Sequence, residues 1–430
     1  MNRSVRTYRA NEEARARKIK NTKRAVIISA SVILSLVLSL GGVLGITALV
    51  KDKNAVVKYG GVTVDRGVAS YLAATYKTYY KSTLPGAQDT EEYWGERVGE
   101  KTRGELLGES TEEYIRSVVV GAYLFDRYAS LSSAERAAIE QATEEVLLDR
   151  TGGDTDKFNE KTAPYGFDYD DFCRATELIY KAEGAKSAIY GNGGAALTNV
   201  ADATVLSQCN LYFEQYSRVK MLYIDTKETV VKDSEGKLEI DGGKYTTRYL
   251  TAAEIVARRG DIEEIRRLIE GAKTGEGDEM SPEYFDLMQD KYNITKAYNE
   301  SGYYFSESSA FSEGFAEDTA EYLSGEYAAA LYKMLTAATE SALTMNEGEY
   351  HEIEGDFGIC FIYKCKKEEG AFLSPSYGAF FHDFFSDAAD YLYNKSAEAL
   401  FDGVEVREKY QEIDPVKIPY NYEYIAKIAR

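Results

Sequence analysis

The 430-residue chain holds four cysteines, two histidines and one tryptophan, and each shortage removes a class of chemistry. Cys173, Cys209, Cys360 and Cys365 are too few and too widely spread to staple a disulfide scaffold, and no CxxC knuckle is present to hold zinc. Buried free thiols fit their spacing better than disulfides. His351 and His382 give a metal site or a histidine-based catalytic set little to draw on, so no metal and no cofactor is expected. Cys360 followed by Cys365 could suggest a thiol nucleophile, but no partner histidine stands at a plausible place, and a half-buried strand cysteine is usually inert. No glycine-rich loop has Walker or Rossmann spacing. Positive charge is short too: 51 Lys and Arg face 71 Asp and Glu, a net charge of −20. Nine of those bases fall in residues 1–24, against Glu12 and Glu13, so everything after them is more acidic still. That balance disfavours nucleic acid and anionic lipid surfaces, and no nucleic-acid partner is expected.

What the chain does contain begins with residues 25–50, AVIISASVILSLVLSLGGVLGITALV, a run without one charged side chain. As a helix it is long enough to cross the roughly 30 Å hydrocarbon core of a bilayer with some tilt, and it reads as a transmembrane signal anchor. A cleaved signal would have a shorter apolar core followed by a small-x-small site. The basic residues 1–24 keep the N-terminus in the cytoplasm, so the expected location is the cell membrane, single-pass, with the bulk of the chain extracytoplasmic. Tyrosine is abundant, 36 residues with 17 Phe. Rings with a polar edge suit a surface that holds peptide or sugar, as well as ordinary core and rim packing.

Along the exported part, residues 55–64 read as a short strand broken at Gly60-Gly61, and Asp65 caps a helix whose apolar face includes Val68, Tyr71, Leu72 and Tyr76. Residues 84–107 read as a polar connection. Ser110 with Glu113 and Ser132 with Glu135 have the spacing of capping boxes, opening helices over 111–129 and 133–150. A third helix is expected over 168–188. Its acidic cluster Asp168, Asp170 and Asp171 fits the charged first turn of a helix better than a cation site. Gly191-Asn-Gly-Gly194 is a linker, and a helix over 202–215 then gives way to RVKMLYI, Arg218 to Ile224, a strand that opens a second domain. Val230 to Ile240 alternates around Asp233-Ser-Glu-Gly236, a hairpin turn without calcium-loop spacing. Thr251 and Glu254 form another capping box, Ser281-Pro282 starts one more helix, and a long helical tract covers 314–345. Two strands over 347–353 and 357–364, an aromatic helix over 377–400 and a closing strand over 404–413 complete the pattern. The tract Phe380 to Phe385 is expected to pack on the first module.

The order of an N-terminal anchor, a strand with a glycine turn, helices opening on LSSAE and YGFDYDDF, then RVKMLYI and a closing GEYHEIEGDFGICFIYK resembles the exported foldases of the SurA and PrsA type. The resemblance covers most of residues 55–418. Its firmest part is the isomerase frame: Arg218 to Ile224 as first strand, Gly302-Tyr-Tyr-Phe305 as the turn, Gly348-Glu349 before the next strand, and Phe357-Gly358 opening the last. It implies an α+β chain of a cytoplasmic tail (1–24), an anchor helix (25–50), a mostly helical chaperone-like module (51–216), a parvulin-like α/β domain (217–369) and a segment returning to the chaperone module (370–430).

The pattern departs from the family at its centre. Where active members carry two histidines this chain has Met221 and Cys360, and Ala338 falls where an aromatic usually closes the proline pocket. The resemblance thus implies no catalytic set, but a peptide-binding surface formed by Met221, Tyr303, Tyr304, Phe305 and Cys360. Turning an X-Pro amide requires crossing a barrier near 18–20 kcal/mol and no nucleophile or metal; an isomerase grips the ring, excludes water and stabilises the twisted amide. Losing both imidazoles should strip most turnover and leave a groove. The expected function is a membrane-anchored, extracytoplasmic chaperone binding unfolded or extended polypeptides, with prolyl isomerase activity weak or lost. An active divergent isomerase and an envelope scaffold with one fixed partner are the alternatives.

Overall fold

The computed structural model describes residues 54–84, 86, 88–273, 282–292 and 301–420. The expected fold class needs one correction. The chain is α+β and rich in helix, but among the described residues no helix is long and apolar enough to cross a membrane. The anchor expected over 25–50 and the basic tail before it lie outside the described residues. The described fold therefore contains no spanning helix.

Packing divides the described residues into two compact units, one falling within Met1–Ala196 and Leu392–Arg430 and the other within Leu197–Tyr391. In the first, β1 (Ala55–Tyr59) and β2 (Val62–Asp65) pair as an antiparallel hairpin. Asp65 then accepts the Val68 amide and caps α1 (Arg66–Ser82), as its sequence position suggested. A short α2 (Glu91–Gly95) and the two-residue strands β3 (Arg97–Val98) and β4 (Lys101–Thr102) fill the polar connection. The next helix, α3 (Arg103–Tyr128), starts earlier than expected. Thr102 and Glu105 make its capping box, two turns before Ser110, and Ser110 rides mid-helix because Leu107, Thr111 and Ile115 already keep one buried face. Ser132 and Glu135 do cap α4 (Ser133–Thr151), which ends on Gly152 in the left-handed conformation. After α5 (Thr155–Thr162), Asp168 and Asp171 cap α6 (Tyr169–Tyr190) reciprocally, which accounts for the acidic cluster there. The helices α3 and α6 lie close: a Cβ on Gly121 would sit 2.9 Å from the Ala182 Cα. Val57, Leu72, Ile115, Val119 and Phe172 are among the buried residues of this core.

The second unit runs through α7 (Ala203–Phe213), β5 (Ser217–Asp225), a ribbon of β6 (Glu228–Val230), β7 (Ile240–Asp241), β8 (Lys244–Tyr245) and β9 (Thr247–Tyr249), then α8 (Ala252–Lys273) and α9 (Pro282–Tyr292). It continues with β10 (Tyr303–Phe305), α10 (Ala310–Glu321), α11 (Gly325–Thr344), β11 (Tyr350–Glu354), β12 (Gly358–Cys365) and α12 (Ala379–Phe401), whose last turns belong to the first unit. The chain closes with β13 (Glu405–Val406) on β1, shorter than the strand expected over 404–413 because a 3-10 turn, Glu408–Glu412, follows at once. The tract expected as one helix over 314–345 is two helices, broken at Tyr322–Ser324 before Gly325, whose φ of 66° only glycine adopts freely.

The main sheet has the order β10-β5-β12-β11, antiparallel throughout. All eight residues of β12 are buried, as a strand with helices on both faces requires. Val219, Met221, Cys360 and Ile362 face α10 and α11, while Leu222, Ile224, Phe361 and Tyr363 face α8 and α9. The aromatic tract from Phe380 packs within this unit, both on Phe213, Tyr216 and Phe372, which the sequence pattern assigns to the first module, and on Tyr304 of the second. Phe380 stacks on Tyr304 at 4.8 Å and Phe384 on Phe372 at 4.4 Å, with Phe213 and Tyr216 completing the cluster.

Candidate functional site

On the α10 and α11 side of the sheet lies a cavity of about 940 Å³, open to solvent, within the size range of ligand pockets. Register explains its floor. Cys360 stands opposite Tyr223 and Ile362 opposite Met221, so Met221 and Cys360 are diagonal neighbours on one face. Phe311 and Phe315, one turn apart on α10, add rings, and Leu331 and Leu335 add aliphatic surface from α11. The ribbon supplies a further wall through Val230, Leu238 and Tyr245. It is fastened there by the Tyr245 amide donating to the Tyr322 carbonyl (2.7 Å) and Lys244 Nζ to the Leu323 carbonyl (2.9 Å).

The expected site residues separate by strand alternation. Met221, Cys360 and Tyr303 line the cavity. Phe305 lies in the same apolar cluster, fully buried against Phe311 and Phe315. Tyr304, one residue away from each, points to the other side, where its ring meets Phe213 and Phe380. Ala338 is fully buried on α11 and does not reach the cavity; that helix contributes Tyr327 to it, and α10 contributes Phe311 and Phe315. Neither histidine lines it, and His351 is instead hydrogen-bonded to Ser341 Oγ (2.7 Å).

The polar part of the cavity was not anticipated. Asp225, at the end of β5, is 1 % exposed and accepts hydrogen bonds from Tyr327 Oη and Thr229 Oγ1, both at 2.6 Å. Burial pushes its carboxyl up, against these hydrogen bonds and that of Tyr223. Burial also pushes the Tyr223 and Tyr327 hydroxyls well up, so both stay protonated at neutral pH. Cys360 is fully buried, and burial pushes its thiol up to about 12, so at neutral pH it is held as the neutral thiol. A phenylalanine at 327 tests this wiring. Tyr327→Phe should cost about 1 kcal/mol of stability and raise the Asp225 titration, because the lost bond favours the carboxylate. Carboxyl-carbon NMR across an acid titration reads the second effect, and an unmoved Asp225 would refute the network.

No family model matches the chain, and no curated protein matches it. Among solved structures it is similar to the crystal structure of PrsA from Bacillus subtilis, with 14% identity, 80% of this chain and 93% of that chain covered, and a TM-score of 0.19. At so low a score the likeness supports no conclusion about fold or function.

Proposed function

We propose that the chain is a chaperone or foldase-like protein that binds unfolded or extended polypeptides in the cleft of its second unit, with prolyl isomerase activity weak or lost. The observation that carries this is the open, ring-lined cavity in which Met221, Cys360 and Tyr303 meet Phe311 and Phe315. Such a surface grips apolar side chains of a flexible segment without demanding one sequence. Weak turnover follows from the same residues. Met221 has no polar hydrogen to donate, the Cys360 thiol is buried, and the hydroxyl protons of Tyr327 and Thr229 are committed to Asp225, so none of these is free to stabilise a twisted amide. The division into a chaperone-like module (51–216 with 370–430) and a peptide-binding module (217–369), and an extracytoplasmic location, belong to the same proposal. Their support is the sequence pattern.

The test fills the cleft from its exposed side. Thr319 is exposed and lines the cavity, so Thr319→Trp adds bulk without disturbing the core. Fluorescence anisotropy with a labelled, carboxymethylated unfolded polypeptide should show binding to the full chain, weakened at least about tenfold by the variant. In a protease-coupled proline-peptide assay the same chain should add little to the spontaneous rate. Equal affinity for both proteins sinks the cleft reading, and rapid turnover sinks the claim of lost activity.

A further inference from the structure

The residues lining the cleft include two carboxylates, Asp225 and Asp318, and no lysine, arginine or histidine. Their arrangement sharpens that bias. Tyr327 and Thr229 point their protons inward at Asp225, so the phenolic oxygen of Tyr327 is left as an acceptor. Asp318, exposed on α10, makes no ion pair with any described residue. The same lining carries the rings of Tyr303, Phe311 and Phe315, over which the methylene stem of a long cationic side chain can run. An anionic ligand would meet the unpaired Asp318 carboxylate and find no basic side chain on the lining.

We propose that the cleft selects extended polypeptide segments in which a lysine or arginine stands beside an apolar residue, the cation reaching Asp318 and the tyrosine oxygens while the apolar neighbour enters the ring-lined floor. This rests on the peptide-binding reading above and adds a charge preference to it. The ammonium or guanidinium supplies donors to a wall of acceptors, and its positive charge complements the two carboxylates.

Three labelled peptides with one Ala-Phe-Xaa-Phe-Ala frame, Xaa being lysine, norleucine or glutamate, separate the possibilities by anisotropy with the full chain at low and moderate salt. The lysine peptide should bind about tenfold tighter than the norleucine peptide, the glutamate peptide weakest, with the gap narrowing as salt rises. Asp318→Asn should remove much of the lysine preference and leave norleucine binding in place. Glu140→Gln, an exposed carboxylate on α4 in the first unit, should change neither. Equal binding of all three peptides overturns the charge preference and leaves polypeptide binding intact. Binding of none overturns both. A loss with Glu140→Gln equal to that with Asp318→Asn would trace the preference to the overall negative charge and overturn the assignment to the cleft.

Discussion

Replacing Asp89 with alanine is expected to destabilise the first unit by about 3 kcal/mol, because it strands a buried ammonium. Lys77 is 1 % exposed, in the middle of α1. Its Nζ donates to the Val416 carbonyl (3.0 Å) and the Ile418 carbonyl (2.7 Å) and pairs with Asp89 Oδ1 at 2.7 Å. Asp89 also accepts Trp94 Nε1 (2.8 Å) and the Tyr420 amide (3.0 Å), so one carboxylate ties α1, α2 and the C-terminal segment together. Removing it leaves the cation with two carbonyls and orphans two N–H groups. Lys77→Met should cost less, about 2 kcal/mol, since the Asp89 left behind is partly exposed and keeps two donors. Trp94 is the only tryptophan in the chain and sits in this cluster, so its fluorescence in a urea titration reports the unfolding directly. A loss below about 1 kcal/mol for Asp89→Ala would show that the ion pair does not hold the segment.

The pH dependence has a definite sign. Burial pushes the Asp89 carboxyl up, but the hydrogen bonds from Lys77 and Trp94 outweigh it and leave the group below its ordinary 3.8. A depressed carboxyl stabilises the fold above the unfolded value and loses that contribution as pH falls through the folded one. The gap between wild type and Asp89→Ala should therefore close only below pH 3.8. Burial pushes the Lys77 ammonium down, so near its own titration in alkali the folded state sheds that proton before the unfolded chain does.

Local chemistry made much of the frame legible. The capping boxes at Ser132 and Thr251 act through neighbours three residues away, and the run without charge from Gly358 to Tyr363 fits a strand covered on both faces. Alternation alone separates Tyr303 and Phe305 from Tyr304, and it would have removed Tyr304 from the expected binding surface. Ala338 was placed at the pocket by resemblance, whereas the i, i+4 pair Phe311 and Phe315 carried the signal of a ring-bearing helix face. What stayed hidden depends on partners far along the chain. Helical spacing from Ser70 and Ala74 turns position 77 inward, yet its carbonyl acceptors lie 339 and 341 residues away. Asp225 reads as a solvated strand end until Tyr327, 102 residues on, is seen to donate to it.

Gly358→Ala should couple that hidden network to the cleft. Gly358 opens β12 opposite Asp225, and its φ is not in the left-handed region, so the backbone itself accepts a side chain. The obstacle is Tyr223: an added Cβ would sit 2.3 Å from its Cε2 and 2.5 Å from its hydroxyl. The phenol ring lies across the glycine, and the strand beneath it is fully buried and cannot yield. The ring has to shift off the glycine, and because Tyr223 lines the cavity the shift alters the cavity wall. That overpacking should cost about 2 kcal/mol of stability, and peptide affinity should fall about tenfold as the wall changes. Tyr223→Ala removes the obstruction. In that background the same glycine change should be nearly neutral, giving a coupling energy of about 2 kcal/mol in a double-mutant cycle read by denaturant unfolding. If Gly358→Ala is as damaging without the Tyr223 ring as with it, the glycine is serving the strand rather than the tyrosine, and the packing of Tyr223 over it does not shape the site.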